Sequence, residues 1–144
     1  MPEQSYEKHA QIVPPFHFFL LPLSFLAFIG SLVNLYESYR FHFGLYSASL
    51  ITVLSFLLIV AATFGRIFAL KAQDRLIRLE ENFRHYLITG KPLDSRITVD
   101  QAIGLRFASD NEFPALCKRA AEEGLSRKDI KKAVTNWRAD LYRV

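Results

Sequence analysis

Polar and apolar residues are segregated along this chain, not interleaved. Two runs, residues 16–36 and 45–65, contain no Asp, Glu, Lys or Arg, and each covers 21 residues. At about 1.5 Å per helical residue each reaches about 31 Å, the thickness of a bilayer's hydrocarbon core. The pattern predicts an all-α protein. A transmembrane helical hairpin comes first, and its second helix extends into a cytoplasmic helical tail with about three short helices. Residues 1–15 form an N-terminal cytoplasmic segment, residues 16–65 the hairpin and residues 66–144 the tail.

Past the second run the apolar positions become periodic. Ala69, Ala72, Leu76, Leu79, Phe83 and Tyr86 alternate three- and four-residue steps, a short heptad seam. Asp74–Arg78, Glu80–Arg84 and Glu81–His85 are acid-first pairs one helical turn apart. Gly90 before Lys91 and Pro92 is a stop signal. The seam either packs against the protein's own later helices or pairs with a second copy. Leu76, Leu79, Phe83 and Tyr86 are therefore the candidate interaction seam.

Three shorter helices follow. Thr98 and Gln101 form a capping box that opens a helix over residues 99–108. Ser109 with Glu112 marks another start, and Pro114 moves the best cap toward Asn111. That helix presents Phe113, Leu116, Cys117, Ala120 and Ala121 and ends at Gly124. Ser126 caps the last helix with Asp129 completing the box and Leu125 stapled on Ile130. Ile130, Ala133, Val134, Trp137 and Leu141 then form its apolar face. About 40 helical residues are too few for a robust independent core, so these faces need the long helix, another subunit or the membrane surface.

Charge sets the topology. Residues 37–44 leave room only for an antiparallel return. Lys8 and Arg40 tie on the two sides, and Arg66, Lys71, Arg75, Arg78 and Arg84 lie within about 20 residues of the second span, where cations orient insertion. Both termini are expected in the cytoplasm, with Tyr36, Tyr39, Phe41, Phe43 and Tyr46 at the outer turn. The first apolar run is expected to remain as an anchor rather than act as a cleaved signal peptide, because Lys8 is balanced by Glu3 and Glu7 and the run is longer than a signal core. Pro14 and Pro15 open the first helix and Pro22 bends it locally. Ala27, Gly30, Ser31 and Asn34 on the first span and Ala48, Thr52, Ser55 and Ala62 on the second are the expected seam of the hairpin, with Asn34 facing the partner helix. Arg66 marks the inner end of the second span.

The remaining chemistry is sparse. Of the 18 Lys and Arg, 16 lie after residue 65, against 11 of the 14 Asp and Glu, so the tail carries 16 − 11 = +5. The single cysteine, Cys117, excludes an intramolecular disulfide and reads as a packed small residue. Residues 120–133, AAEEGLSRKDIKKA, have the spacing of a helix-turn-helix corner, which would offer Arg127, Lys128, Lys131 and Lys132 to phosphates. A membrane-tethered DNA-binding protein using residues 120–143 is thus the alternative reading. The same basic helix could lie on anionic lipid, with Trp137 at the interface and Lys131, Lys132, Arg138 and Arg143 toward headgroups. The histidines show no metal-ligand spacing, adjacent acids such as Glu80 and Glu81 diverge around a helix, and no nucleophile sits beside a base. No catalytic residue, cofactor, metal or small-molecule substrate is expected.

The segments LYSASL (45–50), FALKAQDRLIRLEENFRHYLITGKPLDSR (68–96), LRFASDNEF (105–113) and NWRADLYRV (136–144) resemble a family of short bacterial membrane proteins labelled only as a domain of unknown function. Pro114 departs from that pattern. The resemblance implies two transmembrane helices and a helical cytoplasmic tail in a bacterial inner membrane, and it brings no catalytic residues or cofactor. The expectation is a non-enzymatic, membrane-anchored helical interaction module or accessory subunit. Its partners would be the lipid bilayer and a second copy or a larger membrane complex.

Overall fold

A computed structural model describes residues 12–140, which fall into two compact units, residues 12–69 and 70–140. The expectations for residues 1–11, and for Leu141 and Arg143, lie outside the described residues. The architecture is all-helical, as the pattern implies.

The first unit is the hairpin. A π-helical turn, Pro15–Leu20, leads into α1, Leu21–Phe41. The Leu21 N–H reaches back to the Phe16 carbonyl in that wide turn. Pro22 has no N–H to donate and its ring crowds the preceding turn, so the perturbation expected there is absorbed as one turn of looser winding. α1 runs on to Phe41, past the expected span, and only residues 42–44 make the reversal. His42 (φ 52°) and Gly44 (φ 69°) both adopt the left-handed conformation that closes so short a turn. From there α2, Leu45–Thr89, is a single 45-residue helix, stopped by Gly90 at φ 72° as the sequence signalled.

The hairpin seam is only half as expected. On α2, Ala48 is buried and Thr52, Ser55 and Ala62 are partly buried. On α1 the buried positions are Ser24 and Ser31, flanked by half-buried Phe28, Leu35 and Ser38, whereas Ala27, Gly30 and Asn34 are exposed. The physical reason is the serine heptad at 24, 31 and 38. The Ser24 and Ser31 hydroxyls donate to the carbonyls of Leu20 (2.7 Å) and Phe28 (2.6 Å) on their own helix. These side chains are therefore small and already satisfied, and the backbones can approach. Thr52 Oγ1 donates across the seam to the Ser31 carbonyl at 3.1 Å, the Phe28 and Phe56 rings meet at 6.0 Å, and the Arg66 guanidinium lies 5.8 Å from the Phe16 ring. Asn34 is exposed and lies outside this buried stripe.

The second unit joins the end of α2 to α3 (Val99–Leu105), α4 (Phe113–Glu123) and α5 (Arg127–Ala133). The Thr98–Gln101 capping box forms in both directions. Gln101 does more than cap: its Nε2 donates to the carbonyls of Ala120 and Leu125, both at 3.0 Å, stitching α3 to the α4–α5 corner. Gly124 (φ 63°) ends α4 and Ser126 caps α5, accepting from the Asp129 N–H. Cys117 is packed in the core, and burial pushes its thiol up to about 12.

Three boundaries differ from expectation. α4 is capped at Glu112, not Asn111, with Pro114 in its first turn, where a missing amide costs nothing. α3 ends at Leu105 and α5 at Ala133, short of residues 108 and 141. One group accounts for the early ends of α3 and α5. The Glu112 carboxylate accepts the N–H groups of Ser109 (3.2 Å), Thr135 (3.1 Å) and Asn136 (3.1 Å), and the Thr135 hydroxyl. That draws residues 135–138 alongside 107–109 in an extended pairing, with Arg138 N–H to Phe107 O at 2.8 Å and Ser109 N–H to Asn136 O at 3.1 Å. Partial burial works against the Glu112 carboxylate, but these donors hold it below the usual carboxylate range. Trp137 consequently meets the Phe107 ring at 4.9 Å from an extended segment, not from a helix face.

The core is built from Ile97, Leu105, Phe107, Phe113 and Ile130, all fully buried, each worth about 1.5–3 kcal/mol. α3 can lie on α5 because residue 104 is glycine: a Cβ there would stand 3.1 Å from Ile130 Cγ2 and 3.2 Å from the Arg127 carbonyl. Gly104→Val should destabilise the tail by about 1–3 kcal/mol, read as lost hydrogen-exchange protection over α3 and α5 in the detergent-solubilised chain. Unchanged protection would mean that α3 and α5 are not in close contact.

Candidate functional site

Beyond residue 70, α2 has two faces of opposite fate. Gln73, Ile77, Glu81 and Arg84 recur at four-, four- and three-residue steps, one stripe of a helix, and this stripe is covered by the tail. Leu76, Leu79, Phe83 and Tyr86 recur at the same kind of spacing on the other side and are exposed by 54%, 63%, 61% and 54%. The candidate seam therefore does not pack against α3, α4 or α5. Leu87 widens it as a fifth exposed apolar residue.

The covered face is held by a charged residue. Arg84 Nη1 meets Glu81 Oε2 at 3.0 Å, Nη2 donates to the Ala108 carbonyl at 2.7 Å, and Nε donates to Asp110 Oδ1 at 2.8 Å. Its guanidinium centre lies 4.2 Å from the centroid of the Phe113 ring. One side chain thereby binds helix α2, the extended segment that follows α3 and the start of α4. A planar fork suits this role, and lysine could not reproduce it. The Asp110 contact is largely solvated and worth little, whereas the Glu81 and Arg84 side chains are 7% and 10% exposed, so their contact is made in a low-dielectric setting. Burial raises the Glu81 carboxyl above its ordinary range, and Arg84 offsets only part of that.

None of the acid-first pairs expected along α2 is an ion pair among the described residues. Arg84 takes Glu81 in place of Glu80, and His85 Nδ1 contacts the Lys91 carbonyl at 2.8 Å. Helical three- and four-residue spacing, which reveals the outer stripe, also relates Gln73, Ile77, Glu81 and Arg84. It went unseen because three of those four residues are polar.

The candidate phosphate or lipid contacts are dispersed. The corner itself is present, with left-handed Gly124 and fully buried Ile130. Lys131, however, is buried, 5.2 Å from the Phe107 ring, and Arg127 faces Asp100 at 3.4 Å. Lys128 and Lys132 remain exposed. α5 has seven residues, and Trp137 is spent on Phe107. The four cations do not form one surface.

Arg84→Met should cost the tail about 3–5 kcal/mol at neutral pH, because it strands a buried carboxylate. With its pKa raised in the folded state, Glu81 contributes stability below the ordinary carboxylate range that is lost as pH rises through the folded value. The Arg84→Met deficit should therefore shrink in acid, and adding Glu81→Gln should recover most of it. Thermal unfolding of the parent chain and both variants across pH tests this; a deficit independent of pH would show that Glu81 is not the stranded group.

No match is found among curated proteins or among solved structures. Along its whole length, residues 1–144, the chain matches DUF6526 and belongs to that family of unknown function.

Proposed function

We propose that the chain is a non-enzymatic, membrane-anchored helical interaction module, acting on its own or as an accessory subunit of a larger membrane complex. The hairpin supports the anchoring. Its helices are long and apolar enough to cross a bilayer, and Phe25, Leu26, Val53 and Leu54 are each more than half exposed. A water-soluble monomer seldom leaves so continuous an apolar surface uncovered, whereas lipid solvates it. Arg66 and the cations that follow favour a cytoplasmic tail in a bacterial inner membrane, with both termini on that side.

The observation that carries the interaction role is the outer stripe of α2. It begins after the membrane-length apolar run, it keeps helical spacing, and the tail covers the other face of the same helix. Aromatic and leucine side chains left bare beside a satisfied core are what association surfaces are made of.

Carbonate washing of membranes should leave the full chain in the pellet. Protease added to spheroplasts should spare the tail, and protease added to inverted vesicles should remove it. Release into the supernatant, or cleavage of the tail from outside, would overturn the anchoring or its orientation respectively.

A further inference from the structure

We propose that two copies of the chain associate in parallel through the outer stripe of α2, with Arg75 of each copy paired to Glu80 of its twin. The proposal rests on the interaction-module reading and names its partner.

In heptad terms Leu76 and Phe83 occupy a positions, and Leu79 and Tyr86 occupy d positions. Arg75 then falls at g and Glu80 at the e position five residues further on. In a parallel pair of helices a g residue lies beside the e residue five positions ahead on the partner, so Arg75 meets Glu80 twice across the two-fold axis. An antiparallel pair sets g against g and e against e, so that Arg75 faces like charge and Glu80 faces like charge. Copies inserted in one membrane share one topology, which makes parallel the available arrangement.

Both residues are free to do this. Arg75 and Glu80 are exposed, and neither forms an ion pair among the described residues. The cation that Glu80 would otherwise take on its own helix, Arg84, is engaged by Glu81, Asp110 and the Ala108 carbonyl. At the next g position Asn82 is turned inward, its Oδ1 accepting the Leu93 N–H at 2.9 Å. Leu87, at the following e position, adds apolar surface. About two and a half heptads make a weak coiled coil in water. Confinement of both copies to one bilayer raises their effective concentration and compensates for the short seam.

The test uses the full chain in membranes, with Cys117→Ala as background and single cysteines at positions 76, 79, 83 and 86. Oxidation should crosslink two copies at these positions and not at control positions 77 and 81. Arg75→Glu and Glu80→Arg alone should each reduce the crosslinked fraction about tenfold at low salt, and the two together should restore it. Loss in both singles without restoration in the double would overturn the pairing. Absence of self-crosslinks at all four positions, or crosslinks only to other proteins, overturns the homodimer while leaving the anchored module standing if the chain stays in the carbonate pellet. Appearance of the chain in the carbonate supernatant would instead overturn the anchored reading on which the proposal rests.

Discussion

The Arg84 guanidinium decides which side of α2 the tail occupies. It reaches Glu81 on its own helix, the Ala108 carbonyl in the extended segment after α3 and the face of Phe113 at the start of α4. None of these groups can move far once a charge is buried among them, because separating an arginine from a buried carboxylate strands both. The stripe of Leu76, Leu79, Phe83 and Tyr86 is the more apolar face of the same helix, yet the tail leaves it bare. α3, α4 and α5 already satisfy their apolar demand against one another, around Phe107, Phe113 and Ile130. What α2 supplies to them is a partner for polar groups, plus the single buried aliphatic Ile77.

The hairpin is governed by a different rule. In the anchored reading, apolar contact would give two helices little advantage over lipid, so close fit and backbone hydrogen bonding are what bring them together. Serines that bond to their own helix act there as small residues, and Thr52 bridges the gap to the Ser31 carbonyl. Apart from Phe28 and Leu35 at the seam, the large residues of α1 and the facing half of α2 are mostly exposed. One continuous helix, α2, thus carries both regimes in succession: an apolar surface turned outward in its first half and a polar, pinned face in its second.

Local signals in the sequence were faithful. The long helix and its stop at Gly90, the Thr98 and Ser126 caps, the left-handed Gly124 and the packed Cys117 are each set by residues within a turn or two of one another. The errors lie where distant residues compete. α5 ends at Ala133 because Glu112, more than twenty positions earlier, captures the amides of Thr135 and Asn136. Arg84 has Glu80 and Glu81 both within a turn, and only the position of Ala108 and Phe113 selects between them. Asn34 was placed in the hairpin seam on polarity, but the serine heptad wins on size. Lys131 looked like surface charge, yet it lies over the Phe107 ring, while Lys128 and Lys132 on the same short helix stay exposed. The stripe at Leu76, Leu79, Phe83 and Tyr86 was legible as a periodicity. Its exposure was not, since spacing alone does not say which face the tail will take.

The most direct measurement is a nitroxide accessibility scan along α2, one label at a time from position 48 to 86, in micelles dilute enough to hold single copies. Oxygen access without water access over positions 50–58, followed by protection at 77, 81 and 84 and water contact at 76, 79 and 83, is what the account predicts. Water contact throughout 50–58, or protection at 76, 79 and 83 with exposure at 77, 81 and 84, would contradict it.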